Sequence, residues 1–241
     1  MVTRAFMTPK ESEGENDCQD RFSINGETAS VAVCDGMSQS LFPKYWAEIL
    51  ARKYTSERDW IPSRENVHEL SHLWVEKVSS RMEEMRSRGL STWRAENMLM
   101  DGFSAGSTLV GLRMDGNRFR CDVLGDSCLV IVKGGRIQDI LSSMDRFGYY
   151  PDYFDSDPSK PGRGELRTFG GEAVPEMVFL LVSDPLAEYL TSARGSLMEQ
   201  TLVSELLSVE TQEEFEILVA YWRQGGMHND DTTMVIVWQQ A

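Results

Sequence analysis

Residues 31–37 read VAVCDGM. Val31, Ala32, Val33 and Cys34 form an apolar, β-branched run that predicts a buried strand. The run stops on a carboxylate, Asp35, followed by Gly36. An acid there is either a turn residue or a ligand carried to the mouth of the strand. The same juncture recurs along the chain. Asp20 leads into Arg21-Phe22, Asp126 follows 118–124, Asp184 follows 178–182, and Asp230-Asp231 opens 233–238. Each acid alone is commonplace, and Asp184 before Pro185 also suits a helix start. Together, on strands of one sandwich, these acids would meet at one edge. Carboxylates gathered that closely repel unless they are protonated or bind a cation. Mg²⁺ and Mn²⁺ take oxygen ligands. Two such ions about 3.5–4 Å apart can activate water against a phosphoryl group. The residues therefore point to metal-assisted phosphoester hydrolysis.

Working outward, strands are expected at 29–34, 107–113, 118–124, 128–133, 178–182 and 233–238. Asp115-Gly116 marks a hairpin between the second and third. Gly125-Asp126-Ser127 is expected to turn the chain in the same way, giving a three-strand antiparallel meander. Three- and four-residue apolar spacing predicts helices over 41–54 and 65–87. Thr211 and Glu214 form a capping-box pattern, Phe215, Leu218, Val219 and Trp222 follow as a stripe, and Gly225-Gly226 ends it. The class expected is α+β, with packed sheets and helices outside. Residues 142–175 have no sustained period and read as a long loop or small insertion.

A chain of 241 residues suits one domain, residues 1–241. Its net charge of −14 argues against nucleic acid and anionic membrane as partners. No apolar window of about 18 residues suggests a membrane span, and the N-terminal residues lack a secretory pattern. Cys18, Cys34, Cys121 and Cys128 form no CxxC pair and read as reduced, buried thiols. A cytoplasmic location is the expectation.

In order, CQD at 18–20, VAVCDGM, GSTLVGL at 106–112, VLGDSCLVIV at 123–132, RTFGG at 167–171, FLLVSDPLAEYL at 179–190 and NDDTTMVIV at 229–237 resemble the motif series of the PP2C-type metal-dependent protein phosphatases, bacterial branch. The resemblance spans about residues 15–238. It implies a four-layer αββα sandwich of two antiparallel sheets flanked by helix pairs, with 142–175 as a flap-like loop. It implies phosphoserine/phosphothreonine protein phosphatase activity at a centre of two Mn²⁺ or Mg²⁺ ions, with a third, weaker one. By the same resemblance Asp35 bridges two metals and the Gly36 carbonyl binds one of them. Asp184 and Asp230 complete the other. Asp20 is a ligand or holds a water, and Asp126 matches the third-metal position. The partners implied are a phosphoprotein substrate and a Ser/Thr kinase or its targets, in bacterial signalling.

The chain departs from the pattern in places. Ser38 and Pro185 stand where the family has glycines, and Met37 stands where some members carry histidine. Arg4 is a candidate phosphate-binding arginine. The departures keep open a catalytically weak or inactive binding or regulatory module of the same fold. A rival enzyme class comes from HELSH at 68–72, an HExxH pattern that on one helix would place His68 and His72 for a zinc metalloprotease.

Overall fold

The computed structural model describes residues 1–145, 147 and 150–239. In chain order its strands are β1 (Val2–Thr8), β2 (Arg21–Asn25), β3 (Ser30–Cys34), β4 (Gly106–Ser107), β5 (Leu109–Asp115), β6 (Arg118–Leu124), β7 (Cys128–Lys133), β8 (Arg136–Leu141), β9 (Phe154–Asp155), β10 (Arg167–Glu172), β11 (Met177–Val182) and β12 (Thr232–Trp238). The helices are α1 (Pro43–Ser56), α2 (Arg64–His68), α3 (Ser71–Ser87), α4 (Trp93–Met100), α5 (Asp184–Ala193), α6 (Glu199–Ser208) and α7 (Gln212–Gln224).

Two five-stranded antiparallel sheets face each other. One runs β1-β12-β11-β7-β8, the other β10-β6-β5-β3-β2, and β4 and β9 pair separately. Alternate side chains explain the layering. Val31 and Val33 of β3 enter the core between the sheets, with Phe179, Leu181, Val235 and Val237 from the first sheet. Ala32 and Cys34 point the other way, under Trp46, Leu50 and Tyr54 of α1 and Trp74 of α3. A third core joins the outer face of the first sheet to α5, α6 and α7 through Leu186, Leu206, Phe215 and Trp222. The strands are buried on both faces, so they read as continuous apolar runs. The expected αββα sandwich is present, although three helices rather than a pair cover the first sheet. No described helix is long and apolar enough to cross a membrane.

Close approach of α1 to its sheet has a specific cause. A Cβ on Gly111 would lie 2.3 Å from the Tyr54 ring, so only glycine lets that ring lie flat on β5. The Tyr54 hydroxyl donates to Asp122, fully buried on β6, at 3.0 Å. Arg120 and Thr168 also donate to Asp122, at 2.9 and 2.7 Å. Burial of this carboxylate is thus offset by charge-assisted bonds, and through Thr168 it holds the edge strand β10.

Four expectations are corrected. Gly125-Asp126-Ser127 is no hairpin: β6 and β7 lie in different sheets, and the turn carries the chain across the sandwich. Gly125 takes φ 102°, and a Cβ there would meet Thr108 at 2.6 Å and the Asp152 carbonyl oxygen at 2.7 Å. Residues 142–175 include β9 and β10, so RTFGG is an edge strand paired to β6 and not loop. The helix expected over 65–87 breaks at Glu69-Leu70 into α2 and α3. Helix 41–54 begins two residues late, at Pro43, because Phe42 adopts a left-handed conformation, φ 50°.

Candidate metal centre

Antiparallel pairing explains why the strand-end acids converge. In the second sheet, Arg21 pairs with Cys34, Val33 with Val110 and Leu109 with Leu124. The start of β2, the end of β3, the start of β5 and the end of β6 therefore share one edge. In the first sheet, Val182 pairs with both Cys128 and Met234. The start of β7, the end of β11 and the start of β12 share an edge likewise. The 125–127 crossing joins those edges directly. Asp20, Asp35, Asp126, Asp184 and Asp230 all stand at the junction.

Asp35 is held by the strand opposite. Its N–H donates to the Thr108 hydroxyl at 3.1 Å, and its carbonyl accepts from Thr108 N–H at 2.9 Å. Met37 N–H donates to the Gly106 carbonyl at 3.0 Å. Gly36 bridges Ser107 through these flanking bonds, so its own carbonyl takes no part in the pairing. Gly36 is obligatory: a Cβ would lie 2.9 Å from Pro43 and 3.0 Å from the Gln19 carbonyl oxygen. On the opposite sheet, Ser183 stands just before α5, and its hydroxyl, rather than capping the helix, ties the ends of β11 and β12 together. Its N–H donates to the Thr233 carbonyl at 3.1 Å and its hydroxyl accepts from Thr233 N–H at 2.9 Å. Asp184 thereby begins α5, and Pro185 occupies an early-turn position where no N–H is required.

The pocket at this junction measures about 440 Å³. Asp35, Asp126, Asp184, Glu188 and Asp230 line it, with Met37, Phe147, Tyr150 and His228. No lysine or arginine is among its described lining residues. Asp20 lies fully buried beside it, with neither carboxylate oxygen hydrogen-bonded; Asp126 Oδ1 is likewise unpartnered. The Thr233 and Ser183 hydroxyls lie near enough to Asp20 to favour its charged form, without a well-directed bond. Burial, then the Asp231 charge, raises the Asp20 pKa to about 7. Burial raises Asp126 to about 6, opposed by a backbone bond and reinforced by Asp152, Asp230 and Glu188. Burial, then Asp20, Asp184 and Asp126, holds Asp35 well above the usual carboxylate range. Asp184 is raised by burial, then by Asp126, Asp20 and Asp230.

Unpartnered buried oxygens, a free glycine carbonyl and uncompensated carboxylates suit a hard divalent cation. Among the described residues no group of three or more His, Cys, Asp or Glu side chains stands close enough together to hold an ion by itself. That is compatible with Mg²⁺ or Mn²⁺, which keep several waters.

Of the six residues implied as ligands, Asp35, Asp126, Asp184 and Asp230 line the pocket, Asp20 is buried beside Asp35, and Gly36 follows Asp35 in the chain. Asp231 is structural: its oxygens accept from Lys10 N–H at 3.0 Å and Gln19 N–H at 2.6 Å. Sequence reasoning missed Glu188 and His228. Glu188 carried a signal, lying four residues from Asp184 and so on the same helix face.

Two expectations fail here. Arg4 is far from the pocket chemistry: on β1 it donates to the Val209 carbonyl at 3.0 Å and stacks over Trp238. The HExxH reading fails because His68 ends α2 while His72 lies in the first turn of α3, its ring nitrogen 2.8 Å from the Glu69 carbonyl oxygen. The helix break removes the shared face that two zinc ligands need. In the segment 149–153, which could supply a phenol proton donor if it folds over the site, Tyr149 lies outside the described residues, Tyr150 lines the pocket, and Tyr153 sits against Gly106.

No family model and no curated protein matches the sequence. Solved structures do resemble the fold. Serine/threonine phosphatase Stp1 from Staphylococcus aureus aligns at TM-score 0.63 and 14% identity, over 99% of this chain and 95% of that one. The catalytic domain of the serine/threonine protein phosphatase PstP, solved with two manganese ions, aligns at TM-score 0.60 and 16% identity, over 98% and 96%. PppA, described as a regulatory component of T6SS in Pseudomonas aeruginosa, aligns at TM-score 0.59 and 19% identity, again over 98% and 96%. With both sheets, their helical layers and the strand-end acids in place, the chain has the fold of the bacterial PP2C-type serine/threonine phosphatases.

Proposed function

We propose that this protein is a metal-dependent phosphoserine/phosphothreonine protein phosphatase with a binuclear Mn²⁺ or Mg²⁺ centre. The observation that carries the reading is the convergence of Asp20, Asp35, Asp126, Asp184 and Asp230, from both sheets, on a pocket with unpartnered carboxylate oxygens. Bound divalent ions would lower the pKa of a water nucleophile and offset charge on the phosphoryl oxygens. Asp35 would hold both ions and the Gly36 carbonyl one. Asp184 and Asp230 would hold the other, Asp20 a ligand position or a water, and Asp126 a third, weaker ion. The likeness to PstP, solved with two manganese ions, supports this assignment. The substrate would be a phosphoprotein, supplied by a Ser/Thr kinase or its targets. Four free, buried cysteines fit a cytoplasmic location.

Phosphopeptide hydrolysis is expected to vanish in EDTA and return with added Mn²⁺ or Mg²⁺. Full activity after chelation and dialysis would overturn the metal reading. Ion binding without turnover on any phosphopeptide would instead favour the binding module.

Met37 sets a second expectation. Its thioether packs toward Gly106 on the pocket wall and donates no proton. A serine alkoxide leaves poorly without a proton donor, whereas an aryl oxide needs little help. Hydrolysis of p-nitrophenyl phosphate is therefore expected to be favoured over phosphoserine peptides. Met37→His should raise the peptide kcat by about 10-fold or more and narrow that gap. The check is kcat for both substrates at saturating Mn²⁺. An unchanged ratio at full metal occupancy would mean that position 37 does not limit protonation.

A further inference from the structure

We propose that copies of this chain associate head to tail, the outer face of α7 on one copy seating in the groove between α1 and α3 of the next. The groove is a cleft of about 660 Å³ floored by Tyr45, Ile49, Leu70 and Leu73. Arg52 and Lys53 rise from α1 on one side, and Lys77 and Arg81 from α3 on the other. Glu76 and Glu84 also line it, so four cations stand against two carboxylates on a chain of net charge −14. Arg52 and Lys77 share Glu48, Lys53 pairs with Glu57, and Arg81 pairs with Glu84. Such surface pairs are worth under about 1 kcal/mol and yield readily to a competing carboxylate.

The complementary surface lies on the same chain. α7 buries Phe215, Val219 and Trp222 inward. Its outward face carries Glu213, Glu216, Ile217 and Tyr221 at three- and four-residue spacing. Ile217 is 63% and Tyr221 67% exposed, adjacent on this one face. Acids flanking two apolar anchors match cations flanking an apolar floor in both charge and character. α7 packs on the first sheet and α1 on the second, so the two surfaces lie on opposite outer layers. A two-fold pair cannot satisfy both contacts at once. The association is heterologous and grows beyond a dimer, as an open chain or, if the rotation between copies closes, a ring.

The test is sedimentation velocity of the full chain over a wide concentration range, at about 20 mM and about 500 mM salt. At low salt the weight-average mass should climb steadily above 27.3 kDa with concentration, and high salt should return it to monomer. Lys77→Glu with Arg81→Glu, and separately Glu213→Lys with Glu216→Lys, should each stay monomeric when alone. Mixing the two reversed variants should restore association, because each groove then meets a helix of opposite charge. Unchanged circular dichroism and melting temperature would confirm that both variants fold. A monomer at every concentration and salt, failure of the mixture to associate, or a plateau at a closed dimer would each overturn the proposal.

Discussion

Asp35→Asn is expected to lower kcat by about 10³-fold or more at saturating Mn²⁺, because one carboxylate serves both ions and an amide offers a single neutral oxygen to them. Its backbone should stay in place, since the bonds to Thr108 come from the main chain and the Thr108 hydroxyl. His68→Ala, at the end of α2, should leave kcat within about twofold. In EDTA the Asp35→Asn protein should melt no lower than wild type, because the substitution removes one of several mutually repelling acids. A result with His68 essential and Asp35 dispensable would overturn the site.

The metal-free protein should lose stability as pH rises from about 4 to about 7, which is opposite to the usual behaviour of paired carboxylates. The sign follows from the raised values. Asp20 titrates at about 7 and Asp126 at about 6 in the folded chain, against about 3.9 when unfolded. Between those limits the folded state binds more protons, so raising the pH favours unfolding. Asp20 alone accounts for a loss on the order of 4 kcal/mol, or roughly 8–16 °C in melting temperature for a chain of this size. Saturating Mn²⁺ should remove the slope and raise the melting temperature at pH 7.5, because the ions then offset the charge. Melting curves in EDTA and in Mn²⁺ between about pH 5 and 8 decide it. A metal-free protein that gains stability toward pH 8 would contradict the clustering of these acids.

What could be read from the chain follows from where each strand sits. The expected strands correspond to β3, β5, β6, β7, β11 and β12, all interior to the two sheets. Of the missed ones, β1, β8, β10 and β2 are the four edges of the two sheets, and β9 is a two-residue strand outside them. An edge strand needs less apolar surface and mixes in polar residues: Arg167–Glu172 is exposed or half-buried along its whole length. The HELSH motif misled because periodicity cannot detect a break that keeps both halves helical. The acids were legible because each sits beside a strong apolar run. Glu188 was signalled only by its four-residue spacing from Asp184 on α5, and His228, in a connecting segment, by nothing. The meander misread has the same root: a Gly-Asp-Ser turn announces a reversal without saying which sheet receives the next strand.

The two sheets share no hydrogen-bonded ladder. Their inner faces meet through side chains alone, the chain passing between them in connections such as 125–127 and 173–176, yet Asp35 belongs to one sheet and Asp184 and Asp230 to the other. An ion held by both would act as a suture across an otherwise greasy seam. Sliding one sheet past its neighbour would then tear ligands from the ion, so catalytic competence and the alignment of the two halves become a single property. In hydrogen-exchange terms, amides of β3 and β11 would open together when the ion is bound and separately when it is stripped, converting two loosely coupled folding units into one.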